Sequence, residues 1–245
     1  MRAAHTMTPM YNRRWFDPDD DPEVAGYLTD EERAFAAALA EATAPLVTPD
    51  LNDLLLPAVI ARDFHPENEL VARLGLSGWS LRPDELKEGL LDFGVHFSGN
   101  RVRGGRLHNQ CYDLCGESPG PPLDTSGDID ALAQEAAQWF DAVLRRPVVV
   151  YVWLHRGYAY AIRYAFADTR EIIAHRFSKE RAPRDWMWAA IARGRMSVNP
   201  RWMQTHGLPR PDRYLHVRGE MREAEIPPGI RRAERRGSFS GLWQD

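Results

Sequence analysis

The residues best suited to chemistry lie in one segment, 148–167, which is rich in tyrosine and also contains Trp153, His155 and Arg163. Two apolar runs flank Arg156-Gly157, a pattern typical of an antiparallel hairpin with a two-residue turn. With that turn, alternation along the strands would gather the aromatic side chains and His155 on one face and leave Arg163 on the other. Both faces are apolar, so we expect the hairpin in the middle of a sheet with cover on each side.

The aromatic face of this hairpin has two interpretations. As a pocket wall, it would place a histidine beside tyrosine hydroxyls, a combination suited to acid–base chemistry on a small anionic or aromatic substrate. As a core face, it would pack on Trp139 and Phe140, and the head of Arg163 would reach water. The candidate pocket residues are His155, Tyr160 and Tyr164 as catalytic groups, and Tyr151, Trp153 and Arg163 as ligand contacts.

Cys111 and Cys115 could in principle bind a metal ion, because they lie close in sequence to His96 and His108 and both residue types are common zinc ligands. The Cys-x₃-Cys spacing falls within the range of zinc sites, but a second pair of ligands is missing. A turn at Gly99-Asn100 would also place the two histidines several residues apart along a hairpin. We therefore expect two reduced thiols and no metal.

Signatures of cofactor binding and nucleophilic catalysis do not occur in the sequence. It contains no G-x-S-x-G elbow, no P-loop and no H-E-x-x-H motif. The glycine-rich run at 99–106 carries three arginines. It is expected in a hairpin rather than between a strand and a helix, where dinucleotides bind. No cofactor is expected.

The C-terminal part combines arginines with aromatic residues. Arginines between residues 193 and 218 are interleaved with Trp202, Tyr214 and His216, a mixture that is also found where proteins bind single-stranded nucleic acid. No helix-turn-helix, RNP or KH pattern accompanies them. The tail then combines a basic patch with aromatic residues, which suggests docking on a partner or on the protein's own body. The candidate partner-binding residues are Arg231, Arg232, Arg235, Arg236, Phe239 and Trp243.

The elements of the N-terminal third are expected to be helical. Thr29 and Glu32 have the spacing of a capping box, and an apolar stripe of helical period follows them. Pro49 suits the first position of a second helix, although Pro57 should kink or end it. The helical segments expected after the first helix are 48–60, 67–75 and 83–90.

From residue 91 onward, strand patterns appear. Phe93, Val95 and Phe97 alternate with small or polar residues, and Gly99-Asn100 predicts a hairpin turn with a bulge at Gly104-Gly105. The strongest helical pattern of the chain follows. The elements expected are a helix over 128–146, strands over 148–155, 158–167, 171–177 and 214–218, and a helix beginning near Pro183.

This order of elements predicts an α+β fold with a mainly antiparallel sheet packed by helices and a helical N-terminal extension. The regions expected are an irregular acidic lead-in (1–28), a helical region (29–90), an α+β core (91–222) and a basic, aromatic tail (223–245).

Composition and charge bound the class of protein. The chain has 245 residues, of which 44% are hydrophobic and 27% charged, so it can form a sizeable core and is not disordered throughout. It has no apolar run as long as a membrane span and no recognisable signal peptide, so we expect a soluble, cytoplasmic protein. The bias towards arginine over lysine is typical of a GC-rich genome, and we expect a bacterial protein.

The net charge of −4 hides a division along the chain. Residues 1–155 carry 13 basic and 25 acidic residues, whereas residues 156–245 carry 18 basic and 10 acidic residues. The basic part is matched either by the acidic part of the same chain or by an anionic partner.

These features favour a non-catalytic binding protein of regulatory or adaptor type, which uses its basic, aromatic-containing C-terminal region to contact a protein partner or an anionic ligand. The first alternative is a cofactor-independent enzyme with its pocket on the aromatic sheet face. The second is a nucleic-acid-binding protein. No membrane partner is expected.

Overall fold

The computed structural model describes residues 14–17, 22–46, 55–61, 69–79, 87–108, 112–115, 122–193, 208–222, 225–233 and 243. Within these ranges, helices accompany two mostly antiparallel sheets, which confirms the predicted α+β class. The chain divides into two compact units, residues 1–77 with 91–143 and residues 78–90 with 144–245. None of the helices in the described ranges is long and apolar enough to cross a membrane.

The helices are α1 (Pro22–Tyr27), α2 (Asp30–Thr43), α3 (Ile129–Arg145) and α4 (Arg184–Ala192), and a 3-10 turn at Ala44–Leu46 follows α2. The strands are β1 (Leu55–Ile60), β2 (Leu70–Trp79), β3 (Lys87–Ser98), β4 (Arg101–His108), β5 (Asp113–Leu114), β6 (Leu123–Ser126), β7 (Val148–His155), β8 (Tyr158–Phe166), β9 (Ile172–Phe177), β10 (Arg213–Arg218) and β11 (Arg231–Arg232). One sheet has the order β1-β2-β3-β4-β5, with β6 also paired to β4. The other has the order β11-β10-β7-β8-β9, in which β10 and β11 are parallel.

The core of the first unit forms on the apolar face of β3. Helix α2 begins at the predicted capping box, where the Thr29 backbone N–H donates to the Glu32 carboxylate at 2.8 Å. Phe35 of α2 stacks on Phe97 with 4.2 Å between ring centroids. Phe93 contacts the edge of Trp139 from α3, at 6.2 Å. Both predicted helices thus cover the strand face that the alternation of apolar residues indicated.

The β3–β4 hairpin turns at Gly99-Asn100 as predicted, but the predicted bulge at Gly104-Gly105 is wrong. The register is continuous from Asp92 opposite Leu107 to Ser98 opposite Arg101. Val102 and Leu107 therefore point to opposite faces, and both are buried. No bulge is required, because both sides of this strand are covered.

Three predicted helical segments contain strands instead. The described residues of 48–60 form β1, those of 67–75 belong to β2 from Leu70 onward, and those of 83–90 begin β3. Short apolar runs have no decisive period, and Pro57 with the β-branched pair Val59-Ile60 suits an edge strand better than a helix. β1 is that edge strand.

The predicted irregular lead-in contains a short helix. Pro22–Tyr27 forms the short helix α1. Trp15 and Phe16 are buried, and Phe16 stacks on Phe140 at 5.0 Å. These two aromatic residues join the core of the first unit.

In the second unit, β7 and β8 occupy the middle of the sheet, as the two-sided apolar pattern predicted. Val150, Val152 and Ile162 on one face and Tyr151 and Trp153 on the other are all buried. The remaining predicted elements of this unit, the third meander strand, the helix after Pro183 and the strand near 214, are present as β9, α4 and β10.

Candidate ligand-binding site

A bulge in β8 changes the faces on which the candidate pocket residues lie. Leu154 pairs with Ala159, but Trp153 pairs with Ala161, so Tyr160 is an extra residue on β8. The predicted pairing of Trp153 with Tyr160 is therefore wrong. From this point on, each residue of β8 lies on the face opposite to the one predicted.

The bulge brings Arg163 to the aromatic face and moves Tyr164 away from it. Arg163 pairs with Tyr151, and its guanidinium lies 5.3 Å from the ring centroid of Trp153. Tyr164 pairs with Val150 on the opposite face and is 2% exposed. The structure therefore joins Tyr151, Trp153 and Arg163, and separates them from Tyr164.

The aromatic face is a packed core within the second unit. Tyr160 contacts Phe177 and Trp186 with ring centroids 6.0 and 5.9 Å apart. Trp153 donates its indole N–H to the Pro209 carbonyl at 2.6 Å. Trp139 and Phe140, the partners expected for this face, lie in the first unit, against Phe93. The core interpretation fits this packing, with different partners from those predicted.

Burial also changes how these groups ionise. Burial raises the pKa of Tyr160 to about 12, with a smaller contribution from Asp212. Burial likewise raises the pKa of Tyr151 and lowers that of Arg163. An ordinary tyrosine is already protonated at neutral pH, and burial favours the protonated form further, so neither hydroxyl is suited to act as a base there.

A cavity of about 740 Å³ opens at the turned end of the β7–β8 hairpin. His155 lines it, but Trp153, Tyr160 and Arg163 are not among its lining residues. Of the three residues predicted to be catalytic, only His155 thus meets this cavity. The full lining consists of His155, Arg156, Tyr158, Glu180, Arg181, Ala182, Pro183, Arg184 and Asp185.

Two short segments supply this lining: the hairpin turn, and the link from β9 into α4. The Arg156-Gly157 turn forms as predicted, with φ of 53° and 82° at its two residues. Pro183 leads into α4, and its carbonyl accepts from Met187 N–H at 2.9 Å. Three arginines against two acids make the lining basic, and Arg156 and Arg184 are exposed. Such a surface can attract and hold a negatively charged group.

The C-terminal tail contacts this turn through Trp243, which is the only residue beyond 233 that the structure describes. The Trp243 backbone N–H donates to the Gly157 carbonyl at 2.8 Å. Arg231 and Arg232 are exposed and form β11. Arg235, Arg236 and Phe239 lie outside the described residues. Trp243 therefore docks on the protein's own body, one of the two outcomes that its sequence allowed.

His96, which the metal hypothesis considered, is held in a buried polar network of the first unit. Its Nδ1 lies 2.7 Å from a Glu69 carboxylate oxygen and its Nε2 lies 2.9 Å from the Tyr112 carbonyl oxygen. Arg103, opposite His96 on β4, donates to both oxygens of Glu69 at 2.8 Å. Both ring nitrogens of His96 are engaged within the protein, so this histidine has a structural role.

The metal hypothesis gains no support from the ranges that the structure describes. His108 lies on the face of β4 opposite to Arg103, so it does not converge with His96. Cys115 is a free thiol, and Cys111 lies outside the described residues. Within the part of the chain that is described, no group of three His, Cys, Asp or Glu side chains could hold a metal ion.

Sequence reasoning missed the second half of the cavity lining. Glu180, Arg181, Arg184 and Asp185 all come from the charged segment between β9 and the body of α4. The only sequence feature that could have indicated these residues is the run of charged residues at 179–185, at the start of the helix predicted near Pro183. This run gives no indication that the segment lies beside the 156–157 turn.

Comparison with known proteins adds no assignment: no family model, curated protein or solved structure matches the chain. Its function is therefore argued from the geometry of the site.

Proposed function

We propose that this chain is a non-catalytic binding protein whose basic C-terminal part holds an anionic partner. The observation that carries this proposal is the cavity of about 740 Å³ at the hairpin turn, with Arg156, Arg181 and Arg184 in its lining. Guanidinium groups present several N–H donors in a fixed plane, which suits carboxylate and phosphate groups. The cavity is also large enough to enclose several side chains or a small ligand.

The surroundings of the predicted catalytic residues support binding over catalysis. Tyr160 and Tyr164 are 3% and 2% exposed, in packed surroundings on opposite faces of the sheet. They are therefore separated from the cavity that His155 lines. These two tyrosines are therefore core residues. The exposed side chains available to contact a ligand at the cavity include Arg156 and Arg184.

Binding can be tested by fluorescence anisotropy with two labelled probes, a hexaglutamate peptide and a single-stranded oligonucleotide. We expect one of them to bind at low ionic strength, and Arg184→Ala to weaken that binding by about three- to tenfold, because an exposed charge contact is removed. Arg222→Ala is the matched control, since Arg222 is also exposed in the second unit but does not line the cavity. Absence of binding to both probes, or equal losses in the two variants, would contradict the proposal.

A cofactor-independent enzyme is the second candidate, because His155 lines the cavity together with the carboxylates Glu180 and Asp185. A histidine beside carboxylates can act as a general acid or base. The two functions differ in the fate of the ligand. A catalytic site would convert a bound small anion, so the ligand's NMR signals would change with time and stop changing in His155→Ala.

A further inference from the structure

We infer that the cavity recognises a carboxylate-bearing polypeptide segment and that Arg156 is the residue that determines this specificity. The inference rests on the proposed binding function, because it names the ligand class and the recognition residue of the same site.

Arg156 occupies a backbone conformation that disfavours arginine. Its φ is 53° and that of Gly157 is 82°, the left-handed values of a type I′ turn. The first central position of such a turn prefers Gly, which has no Cβ to crowd the following carbonyl, or Asn and Asp, whose short polar side chains bond the local backbone. An arginine here keeps a backbone strain that asparagine would relieve, so its side chain is not explained by the needs of the turn.

The side chain of Arg156 is placed to use that position. Arg156 is exposed, and it lines the cavity with its neighbours His155 and Tyr158. Tyr158 is 41% exposed and adds an aromatic residue to the same lining. A guanidinium fork binds a carboxylate through two parallel N–H···O bonds, which fixes the direction of the ligand as well as its charge.

Two observations favour a polypeptide over a nucleic acid. The lining places Glu180 and Asp185 among the arginines, so the closely spaced phosphates of a nucleic acid would meet like charges. A peptide, even one made of glutamates, can turn its backbone N–H groups towards these acids and its carboxylates towards the arginines. The turn can also accept a backbone hydrogen bond, because the Gly157 carbonyl accepts from the N–H of Trp243 in the chain's own tail. A peptide ligand would add carboxylate contacts beside this backbone contact.

The test compares Arg156→Asn with Arg170→Asn in the full chain. Arg170 is exposed and also has a left-handed φ, 61°, but it does not line the cavity. Both substitutions should raise the melting temperature, by about 2–4 °C, because both relieve the same kind of backbone strain. Only Arg156→Asn should weaken binding of the hexaglutamate peptide, by about tenfold, since a bidentate charge contact is lost.

Each outcome decides the inference. The inference would be supported if the melting temperature rose in both variants and peptide binding weakened about tenfold only in Arg156→Asn. Unchanged peptide binding in Arg156→Asn, or the same loss in Arg170→Asn, would overturn the role of Arg156. If the unmodified protein bound the oligonucleotide but not the peptide, the polypeptide class would be overturned while the proposed function stood. If it bound neither probe, both would fail.

Discussion

Arg146 shows how single residues hold charge inside the second unit. Its guanidinium lies over the Phe166 ring at 3.7 Å from the centroid, and its side chain is 10% exposed. It donates to both carboxylate oxygens of Asp168 at 3.0 Å and to the Thr169 hydroxyl at 3.1 Å. Because a buried cation needs such partners, this pair should contribute measurably to the stability of the fold.

Replacement of Asp168 by asparagine should therefore destabilise the protein. We expect Asp168→Asn to lower the free energy of unfolding by about 1–3 kcal/mol, because Arg146 would lose its charged acceptor while it stays largely buried. Urea unfolding followed by circular dichroism measures this. Glu220→Gln is the control, since Glu220 pairs with Arg145 at 2.9 Å but the two side chains are 75% and 60% exposed. An equal loss in the control would contradict the interpretation.

The same pair predicts a pH dependence. Burial alone would raise the pKa of Asp168, but its bonds to Arg146 and Thr169 outweigh burial and hold the pKa below its ordinary value. A carboxylate with a lowered pKa stabilises the fold above its unfolded pKa, and this contribution is lost as pH falls through its folded pKa. The stability difference between wild type and Asp168→Asn should therefore be constant near neutral pH and shrink below about pH 4. A difference that grew on acidification would contradict it.

At the scale of elements, the packing of α3 on the first sheet depends on a close approach at Gly104. A Cβ atom at this position would lie 2.9 Å from the Leu123 side chain and 3.1 Å from Trp139. The absence of a side chain lets the α3 tryptophan reach the sheet surface. The predicted amphipathic pattern of the helix identified its buried face, and the glycine on β4 supplies the space for it.

Gly104→Ala should therefore cost about 1–3 kcal/mol of unfolding free energy, because the added methyl group overpacks the interface between helix and sheet. Thermal and urea unfolding would measure the change. Gly127→Ala is the matched control, because a Cβ atom there meets its nearest neighbours at 3.9 Å. We expect the control to change stability by less than about 0.5 kcal/mol. Equal effects at the two positions would show that packing at Gly104 is not the cause.

At the scale of the whole molecule, the net charge of −4 makes long-range attraction of polyanions unfavourable, so binding has to depend on a local basic surface. The arginines of the turn cavity form such a surface, and Arg156 and Arg184 are exposed to solvent ions. Contacts between exposed charges weaken as salt screens them.

Binding of the hexaglutamate peptide should accordingly weaken by at least about fivefold between about 50 mM and about 500 mM NaCl, as the Debye length shortens. Anisotropy titrations across this range would measure the change. Affinity that is independent of salt would contradict a charge-based contact and favour apolar contacts around Tyr158.

Elements with a strong local signal were predictable from the sequence. The capping box at Thr29, the stripe of α3 and the turns at Gly99-Asn100 and Arg156-Gly157 are encoded by residues near each other in the chain, and the structure has all of them. The segments that became β1 and β2 lacked such a signal, because a short apolar run suits a helix or a strand until its neighbours are known.

The sequence by itself determined the α+β class, the position of the central hairpin and the residue types at its turn, because these follow from local period and turn chemistry. Only the tertiary structure decided which residues share a site. One extra residue in β8, Tyr160, reversed the faces of Arg163 and Tyr164. The cavity joined the turn to residues 180–185, which lie more than twenty positions along the chain. Strand register and loop proximity are set by packing across the whole unit, so no local pattern could specify them.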